Sequence, residues 1–261
     1  MSRAPSTQTS LRYIPAGAIE LEALWGRRRV TDDLIFKNRR EAGQKLAVRL
    51  LRYKQEQPVV LALPRGGVPV GYEVALALHA PLDIVVVRKL GAPGQPELGI
   101  GAVVDGDHPQ GVLNEEVVRH LDVSEEYVQH EVARQLREIH RRQQKYRGDL
   151  AAIDVAGRTA IVVDDGLATG GSMRAALRGV RRANPKRVVL AVPVAPADTL
   201  ESLASETDDV VCLSTPSFFG AVGNFYDDFS QTSDDEVIRL LGAAQQQTGT
   251  GADREPAPRG S

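Results

Sequence analysis

A chain of 261 residues that is 42% hydrophobic and 25% charged has the make-up of a packed globular protein, long enough for one sizeable core. Its formal net charge of −2 supplies no global field for steering nucleic acid or an anionic membrane, so any anion site must be built from local groups. The single cysteine, Cys212, excludes an intrachain disulfide and fits a reducing, cytoplasmic setting.

The first ten residues, MSRAPSTQTS, lack the apolar stretch of a targeting signal. The longest apolar run, around Val188 to Ala197, falls short of the roughly 18 residues a membrane span needs. Residues 1–35 read as an N-terminal arm, partly disordered, in which Ile14, Ile19, Leu21, Leu24 and Trp25 precede the basic run Arg27, Arg28 and Arg29. From Arg40 the pattern becomes regular: Ala42, Leu46, Ala47, Leu50 and Leu51 recur at helical spacing until Pro58, and the run VVLALP follows as a buried strand. The spacing then predicts helix over 68–79, strand over 82–87, strand over 159–163, helix over 172–183, strand over 187–192, helix over 197–204 and strand over 210–213. Strands with apolar residues on both faces, separated by helices, imply an α/β fold with a doubly wound parallel sheet whose ligands lie at the carboxyl ends of the strands. Residues 88–150 interrupt the alternation as an insertion. It comprises a Gly- and Pro-rich flexible loop, GAPGQPELGIG, and a polar helix over 124–147. The core domain is expected over 36–244, with a disordered tail over 245–261.

The segment Thr159 to Met173, TAIVVDDGLATGGSM, carries the most chemistry. A buried strand ends in two carboxylates, Asp164 and Asp165, and a glycine-bearing turn leads into a helix. Gly170 and Gly171 let main-chain N–H groups approach a ligand, Thr169 and Ser172 add hydroxyls, and the helix N-terminus adds partial positive charge. The combination suits a ligand with a phosphate at one end and vicinal hydroxyls, with or without a metal, beside it. A strand, turn and helix with an Asp cap and no ligand would use the same residue types. Neither a Walker A loop nor a Gly-x-Gly-x-x-Gly fingerprint is present.

VVDDGLATGGSM resembles the phosphoribosyl-diphosphate motif of type I phosphoribosyltransferases. LPRGGVPV resembles the family's diphosphate-binding loop, and VVVRKLGAPG resembles the start of its flexible catalytic loop. The resemblance spans roughly residues 40 to 240 and implies a transferase that uses Mg²⁺ and 5-phosphoribosyl-1-diphosphate (PRPP). By that resemblance Asp164 and Asp165 hold the ribose hydroxyls, with Mg²⁺ held mainly through PRPP nearby. Ala168, Thr169, Gly170, Gly171 and Ser172 wrap the 5′-phosphate. Arg65, Gly66 and Gly67 contact the diphosphate, and Arg88 and Lys89 form a second contact to it. Read without the family, these basic residues are charges at strand ends. A homodimer and a nucleobase-like acceptor are also implied.

Ala168 stands where 6-oxopurine members carry a base-handling Asp, as in adenine-type members, so Glu97 becomes the candidate general base. Four of the five phenylalanines, Phe218, Phe219, Phe225 and Phe229, lie with Tyr226 in SFFGAVGNFYDDF. Their rings either stack on the acceptor in a small C-terminal hood or pack as core. The helix with Arg134, Arg137, Arg141, Arg142, Lys145 and Arg147 reads as a solvated face, interrupted by Glu131 and Glu138. It also keeps a second function open, a PRPP-sensing regulator that binds nucleic acid.

Overall fold

Period-two alternation in the strands sends successive side chains to opposite faces of a sheet, and here both faces are covered. The computed structural model describes residues 34–104, 111–148 and 152–249. In chain order the elements are α1 (Arg39–Leu50), β1 (Val59–Ala62), α2 (Gly67–Leu78), β2 (Leu82–Ile84), β3 (Val87–Ala92), β4 (Gln95–Val104) and β5 (Gly111–Leu113). There follow α3 (Glu115–His120), α4 (Glu125–Arg147), β6 (Thr159–Val163), α5 (Gly171–Arg182), β7 (Arg187–Val194), α6 (Ala197–Leu203), β8 (Asp209–Ser214) and α7 (Asp234–Gly249).

The main sheet has the order β2-β1-β6-β7-β8, and every pairing in it is parallel. Val60, Ala62, Ile161, Val163, Val189 and Ala191 pack on one side with Leu46 of α1, Val70 and Val74 of α2 and Leu241 of α7. Val59, Leu61, Ala160, Val162, Val188 and Leu190 pack on the other with Met173 and Leu177 of α5 and Leu203 of α6. The doubly wound sheet expected from the alternation is the one observed. From β1 the chain moves to β2 on one side, then returns to place β6 on the other, so the gap between β1 and β6 is the topological switch point where such sheets bind ligands.

The Gly- and Pro-rich segment differs from its expectation as a loop. It forms most of an antiparallel hairpin, β3 against β4, with β5 adding a third strand. Leu90, Ile100 and Val103 are fully buried and give the hairpin its own inner face. Pro93 and Gly94 turn the chain, Gly94 at φ +69°, and the register shifts on both sides of Gly91. A Cβ on Gly91 would sit 2.7 Å from the Pro96 backbone. The glycines and prolines therefore serve a turn and a bulge within a sheet.

Helix α4, capped by Ser124 through Tyr127 N at 3.2 Å, joins this hairpin to the main sheet. Tyr127 Oη donates to Gly91 O at 3.0 Å, and Arg88 Nε donates to Gln135 Oε1 at 3.0 Å. At the far end of the helix Arg147 donates through Nε to Asp83 Oδ1 at 2.7 Å and through Nη2 to Ile84 O at 2.8 Å. Asp83 also accepts from Ile153 N at 3.0 Å. The expected arm over 1–35 falls almost wholly outside the described residues, as do 250–261 of the expected tail. Residues 245–249, expected in that tail, instead end α7. Val237, Leu240, Leu241 and Ala244 are buried at helical spacing and hold the helix to the core.

The Asp83–Arg147 pair is almost enclosed, with side-chain exposures of 7% and 12%. Removing one member of such a pair strands a buried charge. Arg147→Ala is therefore expected to cost about 3 kcal/mol of folding stability, measured by urea unfolding; a loss below about 0.5 kcal/mol, the size of an ordinary surface change, would count against this role.

Candidate active site

β1 and β6 end in register, Ala62 beside Val163, and Leu63 N donates to Val163 O at 2.9 Å. Their following loops consequently start side by side. The first carries Arg65, Gly66 and Gly67, across a cis Pro64–Arg65 peptide, and the second carries Asp164 and Asp165. Contact between them leaves no room for side chains on the glycines. A Cβ on Gly66 would lie 2.0 Å from Asp165 Oδ2, and one on Gly67 would lie 2.8 Å from Val163 O and 3.0 Å from Asp164 Cα.

Asp164 Oδ1 accepts from Asp165 N at 2.8 Å. Burial, and then the neighbouring Asp165 charge, hold the Asp164 carboxyl well above its usual range. Burial also raises Asp165, against the pull of Arg39. Arg39 Nε donates to Asp165 Oδ2 at 2.7 Å, its Nη1 donates to Ser230 O at 2.7 Å, and its guanidinium lies 3.9 Å from the Phe229 ring centroid. Sequence reasoning missed Arg39, which opens the first helix 126 residues from its partner, so no local spacing could have paired them.

Beyond the acids, Leu167 N donates to Val194 O at 2.9 Å and Thr199 Oγ1 donates to Ala168 O at 2.8 Å, which pins the turn to β7 and α6. Gly170 takes φ +71°, and no side chain caps α5. The first N–H groups of that helix thus face outward beside the exposed Thr169, Gly171 and Ser172, an arrangement suited to a phosphate. Among the described residues no three His, Cys, Asp or Glu side chains gather into a metal cage. The Asp pair supplies two carboxylates, which fits an ion such as Mg²⁺ that is held chiefly by a ligand's own oxygens.

The other expected site residues are placed as follows. Arg65 Nη1 lies 3.6 Å from Asp234 Oδ1, within the same group of loops. Arg88 faces Gln135, while the Lys89 ammonium meets the Glu97 carbonyl and Glu97 itself is exposed on β4. Gln135 and Lys145 are separated by about 15 Å of helix, so Arg88 and Asp234, which bond to these two residues, lie at well-separated turns of α4. The structure does not bring Arg88, Lys89 or Glu97 into contact with Arg65 or the Asp pair. Of the aromatic rings, Phe225 and Tyr226 are buried with Phe36; Phe219 stacks on Phe225 at 5.4 Å. Tyr226 Oη donates to Asp165 O at 2.6 Å, so it supports the acidic pair from behind. Phe218 is 83% exposed and Phe229 37% exposed, the latter beneath the Arg39 guanidinium and beside Tyr226.

Two substitutions at this contact should move stability in opposite directions. The raised Asp164 pKa means that the folded state binds a proton more tightly than the unfolded chain, so stability is greatest below the unfolded carboxylate pKa and falls as pH rises through the folded value. Asp164→Asn is expected to stabilise the protein by about 1 kcal/mol at pH 7, with the gain shrinking towards pH 4 in thermal unfolding scans. Gly66→Ala, which forces Asp165 away from Arg39, is expected to destabilise by about 1–3 kcal/mol. A reversed sign in either variant would refute the packing described.

The family model described as the phosphoribosyl transferase domain matches residues 34–230. Two Mycobacterium tuberculosis proteins, from strains CDC 1551 and H37Rv, each provisionally named a phosphoribosyl transferase, are 48% identical over 212 residues, covering 80% of this chain and 47% of their own length. The chain thus spans about half the length of the curated relatives it matches. The crystal structure of TT1426 from Thermus thermophilus is similar at a TM-score of 0.70 and 44% identity, over 80% of this chain and 98% of that one. With the domain model matching residues 34–230 and a relative of 44% identity aligned across 98% of its length, this chain belongs to the phosphoribosyl transferase domain family.

Proposed function

We propose that the protein transfers the 5-phosphoribosyl group of PRPP to a ring nitrogen of a planar acceptor, a nucleobase-like heterocycle, and releases diphosphate. The observation that carries this reading is the pairing, at one switch point, of two partly buried carboxylates with an uncapped helix N-terminus a few residues further on. The carboxylates match the ribose 2′ and 3′ hydroxyls as hydrogen-bond acceptors, and the N–H groups of α5 match the 5′-phosphate.

In the proposed step the nitrogen lone pair forms a bond to C1′ while the C1′–oxygen bond breaks, and diphosphate leaves with the bonding electrons. The proton released from the acceptor nitrogen passes to solvent, because Glu97, the base expected from the sequence, is exposed on β4 and out of contact with Arg65 and the Asp pair. Positive charge grows on the sugar as negative charge departs, so Asp164 and Asp165 face the developing cation and Arg65 the leaving group. When bound, Mg²⁺ would neutralise diphosphate charge and orient it against the ribose hydroxyls. Arg39 keeps one acid engaged from the protein side, and the exposed Phe229 ring, stacked on Arg39, offers a face to a flat acceptor.

A regulatory protein that senses PRPP and binds nucleic acid draws less support. Arg134 and Arg141 each fork onto a Glu of their own helix, Arg142 shares Glu138 and Arg147 is buried on Asp83. Each of these four cations is held by a carboxylate of the fold, Arg141 and Arg142 by the same one, which lowers their availability to phosphates.

Calorimetry with Mg²⁺ should detect PRPP binding, and diphosphate release should follow with at least one acceptor in a panel of purines, pyrimidines and other nitrogen heterocycles. Asp164→Asn combined with Asp165→Asn is expected to abolish turnover with an unchanged circular dichroism spectrum. Binding without release for every acceptor would overturn the transferase reading in favour of a sensor.

A further inference from the structure

Asp234, at the start of α7, collects side chains from two other elements. Its Oδ2 accepts from Lys145 Nζ at 2.5 Å, and its Oδ1 accepts from Tyr146 Oη at 2.6 Å while pairing with Arg65 Nη1 at 3.6 Å. Lys145 and Tyr146 lie in the last turn of α4, and Arg65 belongs to the loop after β1. Asp234 is shared by two cations, and both cationic side chains stay accessible, Arg65 at 33% and Lys145 at 43%. The hydrogen bonds from Lys145 and Tyr146, with the Arg65 charge, hold Asp234 ionised, its pKa drawn down to about 2. Lys145 differs in this from its helical neighbours. Arg134, Arg141 and Arg142 are tied to glutamates of α4 itself, and Arg147 is tied to the sheet edge.

We infer that Lys145 is a second diphosphate-binding cation, gathered beside Arg65 by Asp234, so that the inserted helix α4 supplies a leaving-group contact. This rests on the proposed reading of the loop after β1 as a diphosphate site. Arg88 and Lys89, to which the family resemblance assigns such a contact, face α4 and the β3–β4 hairpin instead. Asp234 has the geometry of a placeholder. It offsets the mutual repulsion of two clustered cations until a more highly charged anion takes its place. A lysine suits this task, since a compact ammonium on a flexible stem can turn from the carboxylate to a phosphate oxygen.

The test is calorimetric titration of the full chain with three probes: inorganic diphosphate with Mg²⁺, PRPP with Mg²⁺, and ribose 5-phosphate, which has no diphosphate. For Lys145→Met the dissociation constants for diphosphate and PRPP should rise about tenfold or more, the scale of one lost charged hydrogen bond, while that for ribose 5-phosphate stays at the wild-type value. Lys145→Arg should restore most of the loss. Wild-type affinity for diphosphate in Lys145→Met, or an equal loss for ribose 5-phosphate, would overturn the assignment of Lys145 and leave the transferase reading standing. Failure of the wild-type protein to bind either PRPP or diphosphate would overturn both together.

Discussion

Two strand ends meet at the centre of this molecule, and the space between the loops that leave them is too small for a side chain. Gly66 and Gly67 lie against Asp165 and Asp164 because β1 and β6 end level with one another in a parallel pair. That contact buries much of two carboxyls that are already neighbours in the chain, and burial raises the pKa of both. The arrangement persists because its surroundings compensate for it. Arg39 supplies an opposing charge, Asp165 N supplies a hydrogen bond, and the Tyr226 hydroxyl takes the Asp165 carbonyl. Such a pair costs stability, and the proposed function gives it vicinal hydroxyls to hold.

Charge around this centre is sorted by position. The acids lie at the end of β6, an uncapped helix N-terminus lies just beyond them, and cations gather on the side of β1. Under the proposed reading, a ligand with a phosphate at one end, hydroxyls in the middle and a diphosphate at the other would meet these three environments in turn. The family is that of the phosphoribosyl transferase domain, and the chain spans about half the length of the matched curated relatives.

The segment after β8 and the start of α1 behave as a single unit. Phe36 N donates to Phe225 O, and Asp227 N donates to Phe36 O, both at 2.8 Å, while the rings of Phe36 and Tyr226 pack 5.4 Å apart. Arg39 extends from this unit to Asp165 and to Ser230 O. The acidic pair is thereby joined to elements from both ends of the domain. Helix α4 has a comparable bridging role, bonded to the hairpin at Gly91 and Arg88, to α7 at Asp234 and to the main sheet at Asp83.

Much of this can be read from the chain alone. Apolar runs such as Val59–Ala62 and Thr159–Val163 fit buried strands between helices, and the Asp164–Asp165 pair followed by Gly170 and Gly171 announces a ligand turn, because each choice is dictated by backbone conformation and burial within a few residues. The Gly- and Pro-bearing stretch 91–101 misleads as a loop, since a turn and a bulge use the same residues and only the partner strand distinguishes them. The helix over 234–249 has Val237, Leu240, Leu241 and Ala244 at helical spacing, yet it is not among the helices expected from the sequence, since the surfaces that bury it, on α2 and α4, lie far back in the chain. What tertiary structure alone decided is which charges meet: Arg39 with Asp165, Arg147 with Asp83, and Lys145 with Arg65 across Asp234. Those pairings join residues from 64 to 169 positions apart in the sequence, and electrostatic contact depends on distance in space, which spacing along the chain does not encode.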